Sequence, residues 1–386
     1  MKFAWLHYFL LFAGISFTFL YGIYPIQMLY LQFHRSYSSQ RNLSSMCNTC
    51  SPGIYNTPSQ LPWKLWSTAN HINIPLYTTH DLDLPSQYNV ESVTILMHGN
   101  LRNGNEYFCA GVHSLPSLDS SKYMIIAPEF LILGDNCYEN GVLKTITLND
   151  SCHVPFYHSE GWKDGFLNVN AFNEDTKVHS YDIINYIVDR VGDTNYFPNV
   201  RSITVFGFSA GAQTLQRYAM MPKFYISNSY AHLKFVISDP STFLYFDNKR
   251  PSSSGAFDVP DASWLKQEWN VDAQTNLPWI PTWDETCNKY NDWRYGFNEL
   301  AGYAKNYFEK NSIDSAITAY AHRDIKYVIG TRDTCNCNLQ ANNPNCEDIN
   351  GRCNDYELAT YCQGPFHLLN ILNLAKLFGF IRYASR

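Results

Sequence analysis

Between Ser202 and Ala219 the chain reads as a strand, a glycine-flanked serine and then a helix, and few folds accept that succession. Ile203, Val205 and Phe206 are β-branched or aromatic and follow a loop marked by Pro198 and Asn199. Beyond the serine, Ala212, Leu215, Tyr218 and Ala219 recur at three- and four-residue spacing and predict one apolar helix face. The joint is Gly207-Phe208-Ser209-Ala210-Gly211, a G-x-S-x-G pattern with a strand before it and a helix after it. A side chain at either glycine would clash in so sharp a turn. Ser209 is thereby lifted clear of the sheet. Its oxygen faces a helix N-terminus, where free N–H groups favour negative charge.

The 386 residues are 45% hydrophobic, enough for one large α/β domain or two small ones. Charged residues make up only 16%, the net charge is -6, and no basic run occurs, which argues against a nucleic-acid partner. Tyr 28 and Trp 9 suit a surface that handles carbohydrate or lipid, and suit an ordinary large core equally. The eleven cysteines run from Cys47 to Cys362 and point to disulfides in an oxidising compartment. Zinc is the rival reading, but Cys47-x-x-Cys50 lacks a second pair and the group from Cys335 to Cys362 is irregularly spaced.

Phe3 to Leu31 is apolar almost throughout, interrupted by His7, Thr18 and Gln27. That is longer than the ~7–15 residues of a secretory signal core and adequate for a span of ~20. Residues 1–31 are therefore expected to form a signal anchor in preference to a cleaved signal peptide. Lys2 on one side and Arg35 and Arg41 on the other leave its orientation open. The sequons Asn42-Leu-Ser and Asn149-Asp-Ser, with the cysteines, place the body in a lumen or outside the cell, either membrane-anchored or secreted. Residues 32–62, rich in Ser, Asn, Gln and Pro, read as a stalk, and residues 63–386 as the globular body.

Within the body, strands are expected at Ile72–Tyr77, Val93–Gly99, Tyr123–Glu129, Phe235–Pro240 and Ile325–Asp333. A helix is expected from Asp175 to Val191, on Val178, Tyr181, Ile184, Ile187 and Val188. Residues 241–312 lack strand periodicity and carry Trp264, Trp269, Trp279, Trp283 and Trp293, the pattern of a cap that shapes a substrate pocket. Asp333 ends a late strand, where a carboxylate would orient a histidine. Leu358 to Tyr383 reads as helical and holds His367.

These residues resemble the α/β-hydrolase superfamily. They are similar to a poorly characterised group of secreted or membrane-anchored fungal, protist and bacterial esterase-like serine hydrolases. The likeness rests on His98-Gly-Asn with Arg102-Asn103, Ala127-Pro-Glu-Phe130, Gly161-Trp162 and Phe197-Pro-Asn199. It continues through Gly207-Phe-Ser-Ala-Gly-Ala-Gln213 with Gln216-Arg-Tyr218, Asp239-Pro-Ser-Thr-Phe-Leu-Tyr245 with Arg250-Pro251, Tyr290-Asn-Asp-Trp-Arg-Tyr-Gly296, Gly330-Thr-Arg-Asp-Thr-Cys335 and Gln363-Gly364. The landmarks run in order over roughly residues 90–366. The fold implied is a mostly parallel sheet with helices on both faces and a cap insertion at about 241–312. The chemistry implied is hydrolysis of a carboxylic ester, with Ser209 as nucleophile and Asp333 as acid. The N–H of Ala210 and one near Asn100 or Leu101 would bind the oxyanion. His98 itself is expected to be a buried residue bonded to a loop carbonyl.

One departure from the family pattern concerns the base. The family carries its histidine on a loop after a final strand, and here the chain ends about where that strand would begin. His367 is the only histidine after Asp333, and His98, His113, His158 and His322 are the other candidates. No metal or organic cofactor is required. The expected substrate is a small-molecule, glycan or lipid ester. Two other readings use the same landmarks: a catalytically impaired, membrane-anchored binding or adhesion ectodomain, and an acyltransferase acting through the same serine.

Overall fold

The computed structural model describes residues 63–68, 72–114, 120–139, 142–149, 153–170, 176–240, 242–251, 257–259 and 291–328. The predicted anchor and stalk, the helix expected at 358–383, Asp333 and His367 lie outside these residues. Among the described residues no helix is long and apolar enough to cross a membrane.

In chain order the elements are β1 (Trp63–Ser67), β2 (Asn73–Thr78), β3 (Ser92–Met97), α1 (Gly104–His113), β4 (Tyr123–Pro128), β5 (Leu131–Ile132), β6 (Asn136–Glu139), β7 (Val142–Thr145) and β8 (Phe156–Tyr157). Then come α2 (Ser180–Val191), β9 (Ser202–Phe208), α3 (Ala210–Tyr218), β10 (His232–Ser238), β11 (Arg250–Pro251), β12 (Phe257–Asp258), α4 (Gly302–Phe308), α5 (Ile313–Ala321) and β13 (Asp324–Val328). Seven strands form one sheet in the order β1-β2-β4-β3-β9-β10-β13. β2 runs antiparallel to both β1 and β4, and every other neighbour is parallel. This winding, with a strand–serine–helix joint after the strand beside β3, is the α/β-hydrolase fold.

The sheet is covered on both faces, which is why its central strands read as near-continuous apolar runs. On one face α1 sets Tyr107, Phe108 and Cys109 against Leu96, Ile125, Phe206 and Val236. On the other, α2 and α3 pack Tyr181, Ile184, Ile187, Leu215 and Tyr218 against Val93, Ile95, Ile203 and Val205. Full burial of each such side chain contributes about 1.5–3 kcal/mol before entropy is counted. Cys109 and Cys137 are each disulfide-bonded.

Several boundaries differ from the sequence expectation. The crossover helix begins at Ser180, five residues later than expected. His179 is its N-cap: its N–H donates to Asp182 Oδ2 at 3.3 Å, and its ring Nδ1 lies 3.2 Å from the same oxygen. Just upstream, the Val178 N–H donates to Asn168 Oδ1 at 2.9 Å, which holds the chain extended. The strand expected at Ile72–Tyr77 is β2, and β1 precedes it as an edge strand. Helix α3 has no polar face: Gln213, Thr214, Gln216 and Arg217 are as buried as Ala212 and Leu215. Its expected single apolar face fails because the sheet covers one side and residues 242–246 and 291–297 cover the other.

Candidate active site

Chain winding reverses between β3 and β9, the switch point where open α/β sheets place their ligands. Two loops leave the carboxyl edge there, residues 98–103 after β3 and Ser209 after β9.

Ser209 has φ 54 and ψ -118, a conformation that a residue with a side chain adopts only under strain. The glycines make it possible. A Cβ on Gly207 would lie 2.4 Å from the Gly211 carbonyl oxygen, and a Cβ on Gly211 would lie 2.5 Å from the carbonyl oxygens of both Met97 and His98. The first absence lets the turn close. The second lets α3 lie directly on the end of β3. The Ser209 N–H donates to the Ser238 carbonyl at 3.0 Å, so β10 fixes the joint from the other side.

The neighbouring loop comes close to the serine. A Cβ on Gly99 would sit 3.8 Å from Ser209 Cβ and 3.0 Å from the Tyr107 hydroxyl. His98 is fully buried. Its Nε2 accepts the Phe130 N–H at 2.9 Å, so its Nδ1 carries the proton and donates to the Gly99 carbonyl at 2.9 Å. Burial, opposed by that bond, holds its pKa down at about 4. His98 is thus the loop-bonded histidine expected from the sequence, neutral and with both nitrogens engaged. It cannot serve as the base.

Among the described residues, the N–H groups of Asn100, Leu101 and Ala210 donate to no acceptor. Asn100 and Leu101 lie on the loop after β3, and Ala210 is the first residue of α3. Orphan donors beside a strained serine form an arrangement suited to a developing oxyanion.

Other sequence-predicted residues fall elsewhere. His113 closes α1, at the edge of the sheet away from Ser209. His322 precedes the first residue of β13, also at that far edge, and its Nδ1 lies 2.7 Å from the Thr318 carbonyl. His158 precedes a short 3-10 turn. Among the described residues no imidazole hydrogen-bonds the Ser209 hydroxyl. β13 does bring the chain to the nucleophile edge, since the Val328 carbonyl accepts the Asp239 N–H at 2.9 Å.

Sequence reasoning missed two features of this edge. Asp239, directly after β10, has φ 46 and a buried Oδ2. Arg102, in the loop after β3, has φ 55. With Ser209, three left-handed non-glycine residues follow three adjacent strands. The signal in the sequence is that each residue stands in the loop that follows a central strand.

Trp293, the one cap tryptophan among the described residues, packs against the core and donates its indole N–H to the Asp164 carbonyl at 3.2 Å. It anchors the segment.

No protein-family model matches the chain, and no curated protein sequence matches it. Solved structures do. Poly(aspartic acid) hydrolase-1 from Sphingomonas sp. KT-1 is 14% identical, with 79% of this chain covering 82% of that one at a TM-score of 0.41. LpqC, a poly(3-hydroxybutyrate) depolymerase from Bordetella parapertussis, is 16% identical, with 69% covering 81% at 0.32. The siderophore hydrolase EstB from Aspergillus nidulans is 12% identical, with 72% covering 90% at 0.27. These are likenesses of fold alone.

Proposed function

We propose that this chain is a serine hydrolase that cleaves a carboxylic ester through an acyl-enzyme on Ser209. The observation that carries the reading is the strained Ser209 backbone, supported by the acceptor-free N–H groups of Ala210 next to it and of Asn100 and Leu101 on the loop whose Gly99 approaches it. Ser209 Oγ attacks the ester carbonyl while a histidine takes its proton. The carbonyl π-pair moves onto oxygen, where the N–H groups of Ala210 and Asn100 receive it. Collapse expels the alcohol, which takes the proton from the histidine. Water then repeats the sequence to release the acid. His367 and Asp333 are the base and acid of this scheme, assigned from chain order.

Strain favours chemistry over a pure binding ectodomain. Holding Ser209 in that conformation costs about 1–3 kcal/mol, which a fold serving only adhesion has no reason to retain. Transfer of the acyl group to an alcohol uses the same intermediate and differs only in the acceptor. The disulfides of Cys109 and Cys137 and the exposed Asn149 sequon support an oxidising, glycosylating compartment, reached through the apolar N-terminal segment.

The test is a fluorophosphonate probe on the full chain, with product analysis on short-chain aryl esters. One label per chain is expected, lost in Ser209→Ala. Equal labelling of that variant would overturn the reading.

A further inference from the structure

We infer that Arg102, held by Asp135, is the positioning residue of the oxyanion site, an inference that rests on the hydrolase reading above. Two contacts of Arg102 set two consecutive peptide planes. Its backbone N–H donates to the Gly99 carbonyl at 3.1 Å. Its Nη1 donates to the Asn100 carbonyl at 2.6 Å. In a planar trans peptide the C=O and the following N–H point in opposite directions. Tying the Gly99 carbonyl inward therefore turns the Asn100 N–H outward, and tying the Asn100 carbonyl does the same for Leu101. Among the described residues, both of these N–H groups donate to no protein acceptor.

The guanidinium is itself clamped. Nε donates to Asp135 Oδ2 at 2.6 Å and Nη2 to Oδ1 at 2.9 Å, a planar fork on a carboxylate. Asp135 Oδ2 also accepts the Ile132 N–H at 2.9 Å, and the Asp135 carbonyl accepts the Ile146 N–H at 2.8 Å. The support thus runs from the β5–β6 turn, through Asp135 and Arg102, to the loop after β3. Left-handed φ at Arg102 is what brings its side chain back over its own loop. Lysine cannot substitute, because one ammonium cannot span a carboxylate fork and a carbonyl in fixed directions.

Two measurements on the full chain test this. In the first, Arg102→Ala lowers kcat for an aryl ester about 10²-fold, the scale of losing one oxyanion donor. KM stays within about three-fold of wild type, since the defect lies in the transition state. Arg102→Lys fails to restore the rate, added guanidinium ion raises it in Arg102→Ala but not in Ser209→Ala, and Asp135→Ala gives the same split. A rate within about two-fold of wild type, or a rise in KM alone, overturns the inference. In the second, amide hydrogen exchange of a peptide covering residues 98–104 is faster in Arg102→Ala while the β9 and β10 peptides are unchanged. Should wild-type chain show neither labelling nor turnover, the hydrolase reading falls, and the exchange result still judges the clamp: unchanged exchange at 98–104 overturns it.

Discussion

Arg217 Nη1 lies 3.3 Å from Asp164 Oδ1, and neither side chain reaches solvent. Arg217 stands on α3, two turns beyond Ser209, and Asp164 closes the 3-10 turn at Ser159–Asp164. The other Asp164 oxygen holds Arg294 Nη1 at 2.6 Å. Arg217 continues to the Arg294 carbonyl at 3.1 Å and to Thr242 Oγ1 at 2.8 Å. One carboxylate therefore fastens the nucleophile helix to residues 242–246 and 291–297. Asp164→Asn is expected to cost about 3–5 kcal/mol, because it strands the buried Arg217 charge. Arg294→Lys should cost less, since Arg294 is partly exposed. Urea unfolding of the two variants checks the order, and equal costs would contradict it.

The elbow glycines give a test that leaves the nucleophile untouched. In Gly207→Ala the new methyl would meet backbone atoms of Gly211 at 2.4 and 2.6 Å, and backbone cannot rotate away. Fluorophosphonate labelling should be lost together with several degrees of Tm, since ~1 kcal/mol moves Tm by about 1–2 °C in a chain of this size and the clash costs several. Gly104→Ala is the control: its methyl would meet Glu129 Cγ at 2.6 Å, a flexible side chain that can shift. Labelling should survive there.

His98 predicts a pH dependence of stability. Its folded pKa of about 4 lies below the usual 6.5, so the unfolded chain binds more protons in between. The contribution is complete above pH ~6.5 and is lost as pH falls towards ~4, with a full size on the order of 3 kcal/mol. His98→Ala removes the acceptor of the Phe130 N–H and is destabilised at neutral pH by about 2–4 kcal/mol. Its Tm should fall less than that of wild type between pH 7 and pH 4.5. Parallel curves would show that His98 does not carry the dependence.

Asp333, assigned from chain order, and Asp239, which follows β10 directly, can be ranked as the acid by substitution. Asp333→Asn should lower kcat about 10⁴-fold, as expected when a triad histidine loses its orienting carboxylate. Asp239→Asn should act less, within about ten-fold, because Asn also tolerates the left-handed backbone at that position. The reverse ranking would move the acid to Asp239.

Features set by local pattern were legible in the sequence. The strand before Ser209 and the helix after it follow from side-chain periodicity, and the glycines follow from the turn between them. The loop after β3 was placed correctly for the same reason. What stayed hidden depends on partners far along the chain. Arg102 reads as a surface charge until Asp135, 33 residues on, closes its fork. Asp164 reads as the end of a turn until Arg294, 130 residues away, arrives. The burial of Gln216 is likewise invisible until both its amide atoms bond the Leu244 backbone, at 3.0 and 2.8 Å. Periodicity cannot see a polar residue whose partner is tertiary.

Arg250 Nη2 donates to Asn291 Oδ1 at 3.1 Å and to the Tyr295 carbonyl at 3.2 Å. Those contacts tie β11 to Asn291 and Tyr295, 41 and 45 positions on, so the body itself fixes the separation of these points. Lengthening a connection between held ends costs only ~0.6 kcal/mol per doubling, so the body is expected to tolerate insertions between Arg250 and Asn291 without loss of the nucleophile's frame.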